Sequence, residues 1–124
     1  MSINNFETAL KYLGKNGCEI RKGNEQIPVL PELSDVVIAV NKLMTIAKAW
    51  NKEDNFVPDF LNEHQRKWYP VFKVTHAGFA CDYAYYALSN AYANYGARLC
   101  FKSEERAKEF GMKFIDLWEA YLMG

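Results

Sequence analysis

Apolar residues recur at helical spacing in two segments of the N-terminal half. Phe6, Ala9, Leu10 and Leu13 follow the i, i+3, i+4, i+7 spacing of one helical face, which predicts a short N-terminal helix. A longer apolar stripe begins near Pro31 or Ser34 and ends at about Trp50, which predicts an amphipathic helix. The polar segment 16–31 between them is predicted to be a connector, with a short extended piece at 26–29.

The C-terminal segment has the same helical pattern and a clear start signal. Ser103 is a suitable N-cap, and Glu104 and Glu105 follow at the positive end of the helix dipole. The spacing predicts one helix from Glu104 to about Leu122. Its apolar stripe consists of Ala107, Phe110, Phe114, Leu117, Trp118 and Tyr121.

The pattern between these helices is typical of strands. β-Branched and aromatic residues from Trp68 to Thr75 predict a strand, and 76–78 predict its turn. The segment 79–95 fits either a hairpin that turns near Ser89 and Asn90, which we favour, or a helix with its tyrosines on one face. Segment 98–101 is predicted to be a further strand.

These elements predict an α+β fold. We expect a small antiparallel β-meander of about three strands, packed against two amphipathic helices and preceded by a short N-terminal helix. A length of 124 residues fits a single domain spanning residues 1–124.

Charge and composition narrow the classes of partner. Lys plus Arg equals Asp plus Glu at 15 each, so the basic excess that attracts nucleic acid or anionic lipid is missing. The N-terminus lacks the pattern of a secretory signal, and no apolar run reaches the ~20 residues of a bilayer span. We therefore expect a protein that stays in the cytoplasm where it is made and binds no membrane, with nucleic acid a disfavoured partner.

Several segments of the sequence resemble those of a family of small uncharacterised proteins from phages, prophages and mobile elements of gut Bacteroidetes. The shared C-terminal pattern is a Gly-[Ser/Ala]-Arg-Leu-Cys-Phe-Lys-Ser segment, found here at 96–103, followed by a helix. The other matching positions are 43–51, 58–60, 67–72, Gly111, Phe114, Asp116, Leu117 and Trp118.

The resemblance extends over nearly the whole chain from Phe6. Ala97 replaces the family's usual Ser, and Phe60 and Val71 each replace a usual Trp. The resemblance implies a phage or mobile-element origin and carries no mechanism.

Candidate chemistry is sparse. Cys81 with His76 or His64 is the only Cys and His pairing that suggests a nucleophile, yet the neighbouring Asp82 would raise the pKa of the thiol. His64, His76, Cys81 and Cys100 lack the short ligand spacing of a zinc finger. We expect no enzyme activity and no cofactor, with a small Cys/His enzyme or metal-binding protein as the alternative. Cys18, Cys81 and Cys100 are expected to be free thiols.

A second alternative is binding of single-stranded nucleic acid. Arg66, Lys67, Arg98 and Lys102 lie near aromatic residues on which bases could stack. The formal net charge of zero argues against a basic groove.

The aromatic residues are in excess of what a small core needs. Tyr83, Tyr85, Tyr92 and Tyr95 alternate along a predicted sheet that buries one face, so some of them must reach the surface. Exposed tyrosines and tryptophans dominate binding hot spots. The leading hypothesis is a non-enzymatic protein-interaction module that binds an unknown host or phage protein or a second copy of itself. Its candidate residues are Trp68, Tyr69, Tyr85, Tyr92, Tyr95, Arg98 and Phe101. Arg98 is predicted to pair with a carboxylate such as Asp116 or to cap exposed carbonyls.

Overall fold

The computed structural model describes residues 3–13, 21–22, 25–26, 30–91 and 96–124. Helix α1 spans Phe6–Tyr12, as its apolar spacing predicted. The Asn5 side chain accepts a hydrogen bond from the Thr8 N–H at 2.8 Å, and the Thr8 hydroxyl accepts in return from the Asn5 N–H. This reciprocal capping box satisfies backbone donors that a helix start leaves without partners.

The predicted connector contains two short strands. Strands β1 (Arg21–Lys22) and β2 (Glu25–Gln26) pair in an antiparallel arrangement. The predicted extended piece at 26–29 begins within β2, and its remaining residues lie outside the described part of the chain.

The second predicted helix is longer than the pattern indicated. A 3-10 turn at Pro31–Leu33 leads into α2, which spans Ser34–Glu53. The helix continues through the polar residues that follow Trp50, and Asn51 is buried. Asn55, with φ of 53°, follows the helix end in the left-handed region that Asn tolerates.

Strands β3 (Lys67–Thr75) and β4 (Gly78–Ala87) form one antiparallel hairpin. The turn falls at 76–77, and Gly78 after it has φ of +126°, which side chains other than hydrogen rarely permit. A bulge lies opposite Val71 and Phe72, where β4 contributes Asp82 as an extra residue. The helical alternative for 79–95 is therefore wrong up to Ala87, while the returning arm of the predicted second hairpin, 92–95, lies outside the described residues.

The strand predicted at 98–101 is not formed. Only Phe101 pairs with the hairpin, through two hydrogen bonds that it exchanges with Trp68 at 2.9 and 2.6 Å. The next pair in this register would place Leu99 opposite Pro70, and Pro70 has no N–H to donate. In the described residues the sheet is thus a two-stranded hairpin with one isolated bridge, rather than a meander of about three strands.

The predicted C-terminal helix is interrupted at Phe114. Helix α3 spans Glu104–Lys113 and α4 spans Ile115–Met123, and Phe114 between them has ψ of 34°. The Ser103 hydroxyl caps α3 by accepting from the Arg106 N–H at 3.1 Å, as predicted. The break lets α3 pack against the hairpin while α4 packs against α2.

An aromatic cluster forms the centre of the core. The Phe110 ring lies 5.0 Å from Trp50, 4.6 Å from Phe101 and 4.9 Å from Phe114, centroid to centroid. Trp118 contacts the same cluster at 6.2 Å from Phe110. The fold class is α+β, as the sequence predicted, and no helix within the described ranges is long and apolar enough to cross a bilayer.

Candidate functional site

The face of the hairpin that points away from α3 carries exposed aromatic residues. Gly111 of α3 approaches Pro70, Phe72 and Cys81, which marks the covered side. Side chains alternate along each strand, so Val71 and Lys73 of β3 lie on the opposite side with their cross-strand neighbours. We define the hairpin outer face as Val71, Lys73, Tyr83 and Tyr85.

Tyr83 and Tyr85 are 48% and 52% exposed, and they lie directly opposite Val71 and Tyr69 in the register. The Tyr85 ring meets the buried Tyr69 ring edge to face, with centroids 6.4 Å apart. The Tyr69 ring therefore supports one edge of Tyr85, and about half of the surface of each exposed tyrosine is open to solvent. This confirms that part of the tyrosine set reaches the surface.

The structure separates the residues that the sequence grouped as one candidate surface. Phe101 and Tyr69 are buried, Trp68 is half-buried against the core, and Tyr85 is exposed. Tyr92 and Tyr95 lie outside the described residues. Trp68 and Phe101 come from two of the segments that carry the family resemblance, and their bridge joins these segments in the fold. The rings of Trp68 and Phe101 pack in or against the core and are therefore not part of a binding surface.

Arg98 is exposed, pairs with no carboxylate of the described residues, Asp116 included, and donates to no carbonyl among them, so both forms of that prediction are wrong. It lines a cleft of about 320 Å³ on one side of α2, which we call the α2 cleft. The described residues that line the α2 cleft come from α2, from the loop after it and from the turn before Phe101: Met44, Lys48, Asn51, Lys52, Phe56, Val57, Pro58, Ala97 and Arg98.

Lys67 has a structural role that the sequence analysis did not predict. It is fully buried, and its ammonium group donates to the carbonyl oxygens of Asn62 at 3.1 Å, Gln65 at 2.8 Å and Leu88. The Phe60 ring lies 5.1 Å from the same nitrogen. Lys67 therefore fastens the loop before β3 to the residue after β4.

Arg106 forms a second charged centre. Its Nε donates to Asp54 at 2.7 Å and its Nη2 donates to Glu53 at 3.1 Å, while the guanidinium lies 3.9 Å from the centre of the Trp50 ring. Lys102 also pairs with Asp54, at 3.4 Å. Glu53 and Asp54 lie about 50 residues before Arg106 in the chain, so only the packing of α3 beside the end of α2 brings these charges together.

The cations proposed for nucleic-acid binding do not act together. Lys67 is buried, and Lys102 is ion-paired with Asp54. Arg66 stacks on the Tyr86 ring at 4.7 Å, and Arg98 lies in the α2 cleft. Of these four cations, only Arg66 and Arg98 are exposed and outside the ion pairs of the described residues.

Cysteine and histidine side chains are dispersed. His76 is exposed in the hairpin turn and His64 is exposed in the loop before β3, whereas Cys81 faces α3. Burial raises the pKa of the Cys81 thiol and raises that of Cys100 to about 12, which disfavours the thiolate that a nucleophile requires. Within the described ranges no three His, Cys, Asp or Glu side chains are grouped so as to hold a metal ion. Cys81 and Cys100 are free thiols, and Cys18 lies outside these ranges.

An apolar groove of about 350 Å³ lies between the tip of the hairpin and α4. Pro70, Phe72 and Val74 line it from β3, and Trp118 and Leu122 line it from α4. The Trp118 indole N–H is buried and donates to no acceptor in the described part of the chain.

Comparisons of the chain with protein-family models, curated proteins and solved structures give no match.

Proposed function

We propose that this protein is a non-enzymatic protein-interaction module whose hairpin outer face binds a protein partner. The observation that carries the proposal is the pair of half-exposed tyrosines, Tyr83 and Tyr85, on one strand of a hairpin that is anchored to the core by its other face. Alternate residues of a strand are about 7 Å apart, so the two rings form one continuous surface.

Tyrosine suits this role because it offers a large contact area for the loss of only two side-chain torsions. The hairpin backbone already holds both residues in place, and the Tyr69 ring supports Tyr85 from one side. A binding partner therefore meets side chains whose positions are largely set before contact. Such preorganisation reduces the ordering cost of association.

The area of the two exposed tyrosines sets how much of the binding free energy they can supply. Half of each tyrosine side chain is about 100 Å², which yields about 2–3 kcal/mol per residue when buried. Two such residues give about 5 kcal/mol, and association itself costs about 4–15 kcal/mol. The tyrosines therefore act as the centre of a larger interface, of about 800 Å² on each partner, rather than as the whole of it.

The side chains of the hairpin outer face indicate which groups a partner surface would carry. Apolar contact with Val71, acceptors for the two phenol groups and a carboxylate for Lys73 would complement it. The resemblance to phage and mobile-element proteins supports a host or phage protein in the bacterial interior as that partner. A second copy of the chain is the other partner that the experiment distinguishes.

Photo-crosslinking tests the proposal at the level of residues. A benzophenone amino acid is placed at position 85, and a matched chain carries it at Met112, which is equally exposed on α3. We expect the position-85 probe to capture one discrete protein in host lysate, and the Tyr83→Ser variant of that chain to lose the product. Light scattering of the purified protein over a concentration series separates a second copy from a different partner.

Equal capture by the two probes, or capture that survives Tyr83→Ser, would overturn the proposal. Thermal unfolding of each chain checks that the substitutions leave the fold intact, as expected for half-exposed residues. A monomer at all concentrations excludes self-association and leaves the foreign partner as the occupant.

A further inference from the structure

The α2 cleft combines cationic and apolar side chains in a way that suits a small ligand. Lys48, Lys52 and Arg98 lie along a concave surface that is otherwise lined largely by apolar residues, and the described lining contains no carboxylate. We propose that the α2 cleft binds a small amphipathic organic anion: a single carboxylate or comparable acid group on an apolar body. The cleft shares no residue with the hairpin outer face, so this inference is independent of the proposed function.

None of the three cations has a carboxylate partner in the described residues, and the Lys48 and Arg98 side chains have no hydrogen-bond partner there either. Lys48 and Arg98 are exposed and take part in none of the ion pairs. Lys52 differs, because its ammonium donates to the Tyr12 carbonyl at 3.4 Å and lies 5.0 Å from the Tyr12 ring. Lys48 and Arg98 therefore supply the charge that a ligand would neutralise.

The nearest acidic residues on α2 and at its end are already engaged elsewhere. Asp54 pairs with Arg106 and Lys102, and Glu53 pairs with Arg106. These carboxylates are held beside α3 and do not line the cleft. The described lining of the cleft thus carries cations and no carboxylate, although the whole chain has a formal net charge of zero.

The rest of the cleft specifies an apolar ligand body. Met44, Phe56, Val57 and Pro58 form its apolar walls, and its volume of about 320 Å³ lies at the lower end of the range for small-molecule sites. Two unpaired cations suit one acid group, which an arginine can bind through two parallel hydrogen bonds. A nucleic-acid backbone would instead require a row of cations.

Asn51 adds a polar group to the apolar lining. It is 8% exposed, and its amide nitrogen donates to the Cys100 carbonyl at 2.9 Å. Its Oδ1 accepts no hydrogen bond from the described residues. This oxygen is itself buried, so a ligand hydroxyl or amide N–H would have to displace part of the lining to satisfy this costly unpaired acceptor.

The test uses the fluorescent anion 8-anilinonaphthalene-1-sulfonate as the probe. Two competitors that share one apolar body, and differ only in whether they carry a charge, are tested against it. We expect saturable binding with one site, displaced by 4-phenylbutyrate and not by the uncharged 4-phenylbutan-1-ol at equal concentration. Arg98→Glu and Lys48→Glu should each weaken binding at least tenfold. Lys113→Glu, which makes the same charge change at an exposed position of α3, should leave it unchanged.

Further arms locate the site and define the ligand. The Tyr83→Ser, Tyr85→Ser double variant should bind the probe as the wild type does, which excludes the hairpin outer face as the site. Inorganic phosphate should displace the probe far less than 4-phenylbutyrate, because it lacks the apolar body. The inference is overturned if Arg98→Glu, Lys48→Glu and Lys113→Glu bind alike, or if the alcohol competes as well as the acid. Because both cleft cations are exposed, their variants are expected to remain folded, and thermal unfolding checks this.

Discussion

The guanidinium of Arg106 lies 3.9 Å from the centre of the Trp50 ring while its Nε donates to Asp54 at 2.7 Å. One side chain of α3 thus contacts both the aromatic core and the charged end of α2. Arg106 and Asp54 are mostly buried, so this contact is shielded from solvent to a degree that surface ion pairs are not.

Replacing Arg106 should test the strength of this junction. Arg106→Leu removes the ion pairs with Asp54, Glu53 and Glu109 and the cation–π contact, and it leaves Asp54 with Lys102 alone. We therefore expect a loss of about 2 kcal/mol in the free energy of unfolding. Arg106→Lys keeps the charge but not the planar fork and should fall between. Urea unfolding measures both, with the exposed Lys113→Ala as the control. Equal stability of Arg106→Leu and the control would contradict this role.

Lys67 should be indispensable to the order of the loop before β3. Lys67→Met keeps the length of the side chain but leaves the carbonyls of Asn62, Gln65 and Leu88 without their donor, at an expected cost of about 2–3 kcal/mol. Amide hydrogen exchange should show faster exchange in 59–66 than in the wild type. Unchanged exchange there would show that the loop is held by its other hydrogen bonds, such as the one from Gln65 to the Val57 carbonyl at 2.9 Å.

Gly111 should resist substitution although it lies within a helix. A Cβ at this position would lie 2.8 Å from both the Cys81 Sγ and the Pro70 Cβ, which forces α3 away from the hairpin. Overpacking costs about 1–3 kcal/mol, and alanine gains about 1 kcal/mol in helix propensity. Because the first effect should outweigh the second, we expect Gly111→Ala to lower the free energy of unfolding. Gly96→Ala is the matched control, because a Cβ there would have no atom within 4 Å and its φ lies outside the left-handed region. Thermal unfolding compares the two, and a Gly111→Ala variant as stable as Gly96→Ala would refute the close approach.

Cys100 should make stability depend on pH in the alkaline range. Burial raises the pKa of its thiol from 9.0 to about 12. Between these values the unfolded chain loses the proton and the folded chain keeps it, so stability falls as pH rises, by up to about 1.4 kcal/mol per pH unit. Below pH 9 the thiol is protonated in both states and has no such effect.

The comparison of wild type with Cys100→Ala isolates this contribution, because other titrating groups are common to both proteins. We expect the difference in stability between them to shrink steadily above pH 9 in denaturant unfolding experiments. A difference that stays constant from about pH 8 to about pH 11 would show that the folded thiol ionises as an exposed one does.

Local sequence patterns predicted the elements whose signals are short-range. The apolar stripes and the Ser103 cap located α1, α2 and the start of α3, and the β-branched run located β3. These predictions succeed because capping, helical periodicity and strand alternation act between residues a few positions apart. The aromatic excess likewise showed that some tyrosines must be exposed.

The sequence by itself thus determined the α+β class, most helix positions and the presence of surplus tyrosines. Tertiary packing decided that Phe114 breaks the last helix, that Pro70 stops a third strand at the Trp68 and Phe101 bridge, and that Lys67 is buried. It also placed Lys48 and Arg98, which are far apart in the chain, on one cleft. The physical reason is that each of these features depends on contacts between distant segments, whose energies no local pattern of residues records.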